Sequence, residues 1–289
     1  MKLETVKRPT AIILASQLIE GNLQTIFGKR ETASLMIAGA TVIEHVLDEL
    51  QDLNFAQCFV LAGDNAHEIH AVVMGLQHWG MKIEVMNYSL SRDQVLRDFK
   101  SMSQPNGLLV IEANQLRSES IKEFLNLSDQ TDYLLYSAMR SKKSLGLTYI
   151  KPSNADWIIN ARPIEMSQVV INPLQTTKDF HRANIDVVLG KYRGLESSVS
   201  CHATGRQLRH WSAKVDKRAI VDRSGVMIDR LCKVERNVSL SSVVLNHNVY
   251  VARNTMLKNT IVMPNAVISS NQNIRNSIIH GDTVYQIYG

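Results

Sequence analysis

The chain is 289 residues long, 45% apolar and 20% charged, with a formal net charge of +5; this gives room for one or two packed cores and excludes a collagenous, low-complexity or disordered polymer. Its longest apolar runs, such as Ala11-Ile-Ile-Leu-Ala15, are too short to span a bilayer, and no signal-peptide stretch precedes them, so a cytoplasmic protein without membrane insertion is expected. Three scattered cysteines, Cys58, Cys201 and Cys232, argue against a disulfide framework or a zinc site, and the lack of a dense Lys/Arg tract argues against a nucleic-acid partner.

Thr10 to Ala15 reads as a strand of the fully buried type. Thr41 to Leu50 places Val42, Val46, Leu47 and Leu50 on one helical face. The strand Cys58–Ala62 follows, then a helix over His67–Leu76, a strand over Ile83–Met86, a helix over Gln94–Met102 and a strand over Gly107–Ile111. Alternation of this kind predicts parallel pairing with right-handed crossovers, the doubly wound α/β class. Ligands of such sheets sit at the carboxyl ends of the strands, which directs attention to the loops after Ala15 and Ile111. Further strands are expected over 134–139, 146–150 and 167–171, and a helix over 177–191. The polar stretch 193–212 reads as a linker.

Beyond it the pattern changes. Val215, Val221, Ile228, Val234, Leu240, Leu245, Val251, Leu257, Met263, Ile268 and Ile274 recur at gaps of five to seven residues. Neither an amphipathic helix nor a hairpin array has that period. A solenoid does, with every sixth side chain directed into the core. The expected organisation is an α/β domain over 1–200, a linker over 201–212 and a solenoid over 213–289.

Together the halves resemble the sugar-nucleotide pyrophosphorylases, the nucleotidyltransferases that join a nucleoside triphosphate to a sugar 1-phosphate, of the mannose-1-phosphate guanylyltransferase and glucose-1-phosphate nucleotidyltransferase kind. The residues that carry the resemblance are Ala11-Ile-Ile-Leu-Ala15 and Ile37-Ala-Gly-Ala-Thr-Val-Ile-Glu-His-Val46, with Leu108-Leu-Val-Ile111 and Thr177-Lys-Asp-Phe-His-Arg-Ala-Asn184. The resemblance implies a Rossmann-like, GT-A-like nucleotide-diphospho-sugar transferase domain followed by a left-handed parallel β-helix of hexapeptide repeats. It also implies Mg²⁺-dependent release of pyrophosphate, a nucleotide or sugar nucleotide as ligand, and a cell-envelope or exopolysaccharide context.

Carried over position by position, the family's glycine-rich phosphate loop falls on Ala15, Ser16, Gln17 and onward to Gly21, with Gln17 and Ile19 in place of the two glycines. Its phosphate-neutralising lysine falls at Thr32. Its metal-holding aspartate falls at Asn114, and its second metal aspartate falls within Pro173-Leu-Gln-Thr176. Gly63 and Arg92 are the remaining pocket candidates implied. Lys29 and Arg30 for phosphate, and Glu112 for the metal, are the candidate catalytic replacements. Phosphate chemistry of this sort is positioning and charge stabilisation, and each stabilising group removed costs on the order of a hundred- to a thousandfold in rate. A non-catalytic member is therefore expected, acting as a homo-oligomer or with an active paralogue. Two alternatives stand beside it: a working transferase on relocated residues, and a hexapeptide acyltransferase using His247 or His280 as general base.

Overall fold

A computed structural model of the protein describes residues 9–63, 66–75, 80–99, 106–130, 132–152, 161–195, 202–204, 207–222 and 225–287. The chain is mixed α/β and divides into two compact units. The first comprises residues 1–18, 30–35 and 41–173, the second residues 19–29, 36–40 and 174–289.

The first unit is built on a seven-stranded sheet ordered Arg162–Glu165, Leu135–Arg140, Lys143–Ile150, Leu108–Glu112, Thr10–Leu14, Gln57–Leu61, Lys82–Met86. Thr10–Leu14 lies between Gln57–Leu61 and Leu108–Glu112 and pairs with both in parallel. Lys143–Ile150 runs antiparallel to both its neighbours. The central strands read as unbroken apolar runs because both faces are covered. Ala11 and Ile13 join one core with Val46, Leu47 and Leu50 of the helix Val42–Asp52, and with Ile69 and Val73 of the helix Ala66–Gly75. Ile12 and Leu61 face the other way, onto Val95 and Leu96 of the helix Arg92–Asp98.

The helix Val42–Asp52 starts at a capping box. The Thr41 hydroxyl accepts the Glu44 amide, and the Glu44 carboxylate accepts the Thr41 amide, which satisfies two of the donors a helix start leaves free. Near its end, buried Glu49 accepts the backbone N–H groups of Ser120 and Ile121, each at 2.6 Å. The carboxylate thereby caps the helix Ile121–Asp129 from outside, with the buried Arg117 guanidinium 3.4 Å away. That helix was not expected from sequence, nor was the helix Gly21–Phe27. The strand expected over 167–171 lies earlier, at Arg162–Glu165, and only Ile171–Asn172 pairs near the expected place. Pro163 is tolerated because this is the edge of the sheet, where one face of the ladder needs no donor.

The second unit is strand-rich. The segment Lys214–Val215 pairs in parallel with Lys233–Val234, which pairs with Tyr250–Val251, which pairs with Val267–Ile268. A larger sheet of eight strands runs beside this row of four; its parallel rungs include Val226–Ile228, Ser239–Leu245, Met256–Val262 and Asn273–His280. The periodic aliphatic residues meet in one cluster: Ile228, Val234, Leu240, Leu245, Val251, Leu257 and Ile268 are buried together, with Val215, Val221 and Ile274 packed at the margin.

Asparagine holds the turns. Asn237, Asn254 and Asn271 all have φ near +60°; the Asn237 side-chain amide donates to the Asn254 side-chain carbonyl, and that of Asn254 to Asn271. Asn248 donates likewise to Asn265, and Asn259 to Asn276. Asparagine tolerates the left-handed conformation better than other side chains with a Cβ, so the columns combine turn geometry with hydrogen bonding.

The stretch expected to be a linker contains paired strands. His202–Thr204 and Gln207–Arg209 form an antiparallel hairpin at one end of the larger sheet; polar composition concealed it. At the other end Thr283–Gln286 turns back antiparallel on Asn273–His280. Both terminal strands of that sheet are short and reversed, a recognised way to blunt an edge.

Candidate functional site

The first unit carries a cavity of about 190 Å³ at the carboxyl ends of its central strands, lined by Leu14, Ser16, Gln17, Leu90, Arg92 and Glu112, with Ser91 and Asn114 beside them. Parallel pairing puts Leu14 opposite both Leu61 and Glu112, so the loops after these strands open at the same level. This is where a parallel sheet of this class receives a ligand.

Among the sequence candidates, Ser16, Gln17, Arg92, Glu112 and Asn114 are brought together here. Ala15 is buried behind them. Gly63 backs onto Ser16: a Cβ built on it would lie 3.4 Å from the Ser16 Cβ. Gly21 and Lys29 belong to the second unit. Arg30 is turned to Glu68, its Nη2 3.4 Å from Oε1, and does not line the cavity.

Across the cavity the Asn114 side-chain N–H donates to Gln17 Oε1 at 2.5 Å. The Ser89 hydroxyl reaches Ser16 Oγ at 3.4 Å on another side. Leu18 bridges antiparallel to Glu31, and the Thr32 amide donates to the Gln17 carbonyl. Thr32 is buried and fixed by its backbone.

The electrostatics are balanced rather than cationic. Among the described residues Arg92 is the only cationic side chain lining the cavity, and its Nε is 3.2 Å from Asp93 Oδ1. Glu112 adds a carboxylate. A triphosphate needs concentrated positive charge or backbone amides left open by glycine, and Gln17 covers the loop with a side chain instead. Mg²⁺ also fits poorly. No group of three or more His, Cys, Asp or Glu side chains poised for a metal occurs among the described residues. Glu112 is the one carboxylate among the described lining residues, and the Asn114 side chain beside it carries no charge.

Gly146 is a site residue that sequence reading passed over. It sits at φ +67°, and a Cβ there would lie 2.7 Å from Gln115 Nε2 and 3.1 Å from Glu112 Cβ. Only glycine allows the strand Lys143–Ile150 to run so close behind Glu112. Its isolated place inside an apolar run is the signal that would have found it.

Other candidate chemistry is accounted for by packing. Burial pushes the Cys58 thiol up to about 12 and the Cys232 thiol up to about 11, so neither is a nucleophile at neutral pH; Cys201 lies outside the described residues. His280 stacks against Phe27 with ring centroids 5.5 Å apart, and His247 is half-buried on the turn before Asn248. Within the second unit, Asn184 Oδ1 accepts the Ala38 N–H at 2.8 Å, which joins two of the segments through which the sequence resembles the pyrophosphorylases. No helix among the described residues is long and apolar enough to cross a membrane.

Comparison with protein-family models and with curated proteins finds no match to the chain.

Proposed function

We propose that this chain is a non-catalytic relative of the sugar-1-phosphate nucleotidyltransferases, with a GT-A-like first unit whose nucleotide pocket has closed on itself. The observation that carries this reading is the Asn114–Gln17 hydrogen bond. It joins the residue at the metal position to the residue at the phosphate-loop position, across a cavity of about 190 Å³, below the roughly 300–1,000 Å³ usual for small-molecule sites. The stacked parallel rungs of the second unit, with their buried aliphatic column, are read as the left-handed β-helix of that family. Its role here is assembly, either with further copies or with an active paralogue, in the cytoplasm and in nucleotide-sugar supply.

Purified protein incubated with nucleoside triphosphates, sugar 1-phosphates and Mg²⁺ or Mn²⁺ is expected to release no pyrophosphate above background. Robust turnover refutes the reading. A second reading, an active transferase on relocated residues, is favoured by one observation, the presence of Glu112 in the cavity wall. Under that reading Glu112→Gln abolishes a measurable pyrophosphate release.

A further inference from the structure

The second unit contains a larger concavity, about 700 Å³, on the face formed by its row of four short strands. Five of its lining side chains are cationic: Arg209, Lys214, Lys233, Arg236 and Arg253. Lys214 and Lys233 are register partners on adjacent parallel strands, which places their backbones about 4.8 Å apart. Arg236 and Arg253 occupy adjacent rungs in the same way, since the Asn254 amide donates to the Arg236 carbonyl. Four of the five cations thus form two pairs, while Arg209 donates to the Ala213 carbonyl. Lys233 and Arg236 are three residues apart, at most about 10 Å along the chain.

Against these five cations the described lining residues include two acidic ones, Asp216 and Glu235. Asp216 Oδ1 accepts the Arg218 backbone N–H at 2.8 Å. Glu235 accepts the Tyr250 hydroxyl at 2.6 Å on one oxygen and the Arg253 backbone N–H at 3.3 Å on the other. The Tyr250 hydrogen bond holds the Glu235 carboxyl below its ordinary range. Lys233 stands 3.8 Å from Glu235. Lys214, Arg236 and Arg253 form no ion pair among the described residues. Stacked like charges repel, so an arrangement that keeps them adjacent is stabilised by an anion set between them. Half-buried Val215 supplies an apolar patch in the lining, suited to the carbon skeleton joining two anionic ends.

We propose that this groove binds a small soluble compound carrying two phosphate groups up to about 10 Å apart, one held by Lys214 and Lys233, the other by Arg236 and Arg253. The site is independent of the first unit's cavity and of the reading given to it.

Isothermal titration of the full chain at fixed ionic strength, with glucose 1,6-bisphosphate and glucose 6-phosphate as probes, tests it. The bisphosphate is expected to bind about tenfold or more tightly than the monophosphate, because its second contact is intramolecular. The double variant Arg236→Gln/Arg253→Gln should bring the bisphosphate down to the monophosphate's affinity, a loss of about tenfold or more. Arg275→Gln, which removes the same charge from the larger sheet, and Asn114→Ala should leave binding unchanged. Equal affinity for the two probes overturns the proposal. So does a double variant that binds like the wild type, or a loss that follows Asn114→Ala. Sedimentation with phosphatidylserine vesicles, in the absence of binding to the soluble bisphosphate, overturns it in favour of a membrane surface.

Discussion

Asn114 and Gln17 are 97 residues apart in sequence and share a hydrogen bond at the mouth of the first unit's cavity. The Asn114 amide donates and the Gln17 carbonyl oxygen accepts. Asn114→Asp removes the donor and sets a second carboxylate in the wall with Glu112, and hard divalent cations bind oxygen ligands that carry charge. Mn²⁺ at millimolar concentration is therefore expected to raise the melting temperature of Asn114→Asp and not of the wild type. An equal response in both proteins contradicts the account of the pocket.

Glu49 performs two tasks: it caps the helix Ile121–Asp129 through two amides and faces the buried Arg117. Burial raises its carboxyl above the ordinary range, against the opposing pull of Arg117 and the two amides. Removing one member of such a pair strands a buried charge, so Glu49→Ala should cost about 3–5 kcal/mol in chemical denaturation. The double variant Glu49→Leu/Arg117→Met is expected to recover only part of that loss, because the Ser120 and Ile121 amides stay unsatisfied.

Leu231 adopts φ +59° and is 64% exposed, at the rung preceding Asn248 and Asn265. A left-handed residue with a bulky side chain carries roughly 1–2 kcal/mol of strain, and no buried contact offsets it at this exposure. Leu231→Asn would extend the column by one hydrogen bond and relieve the strain. A rise of about 2–4 °C in melting temperature is expected, and a fall would show that the leucine is held by something else.

His181 donates through Nε2 to the Asn259 carbonyl at 3.0 Å, and burial depresses its pKa below 6.5 against the pull of that bond and of Asp186. The folded protein then binds fewer protons here than the unfolded chain. The contribution is fully present above about pH 6.5 and is lost as pH falls through the depressed value. His181→Gln, which keeps a donor, is expected to lose less stability than the wild type between about pH 7.5 and pH 5.5. Parallel pH profiles of the two melting temperatures rule this out.

Much of the architecture was legible because the physics behind it is periodic. Strands covered on both faces show as apolar runs, which is why Thr10–Leu14, Gln57–Leu61 and Leu108–Glu112 were placed within a residue or two. The aliphatic recurrence after Val215 likewise announced a repeating core. Segments governed by an edge or a tertiary contact escaped. Arg162–Glu165 is exposed and contains Pro163. The helix Gly21–Phe27 has no capping side chain and starts at a glycine with φ +61°. The cap of Ile121–Asp129 comes from Glu49, more than seventy positions away. At the cavity, the sequence singled out Ser16, Gln17, Arg92, Glu112 and Asn114, which the structure brings together. It did not reveal that Gln17 and Asn114 bond to each other, or that Arg30 is engaged by Glu68.

The reversed strands that close the larger sheet set the size of the second unit. A ladder of parallel rungs has no intrinsic length, and nothing in its hydrogen bonding tells it to stop; here the hairpins at Thr204–Gln207 and His280–Thr283 act as bookends. Growth by gene duplication is consequently confined to the interior. A copied block of seventeen residues, or a multiple of it, slots between existing rungs and keeps the asparagine columns aligned, whereas an insertion of another length throws them out of step.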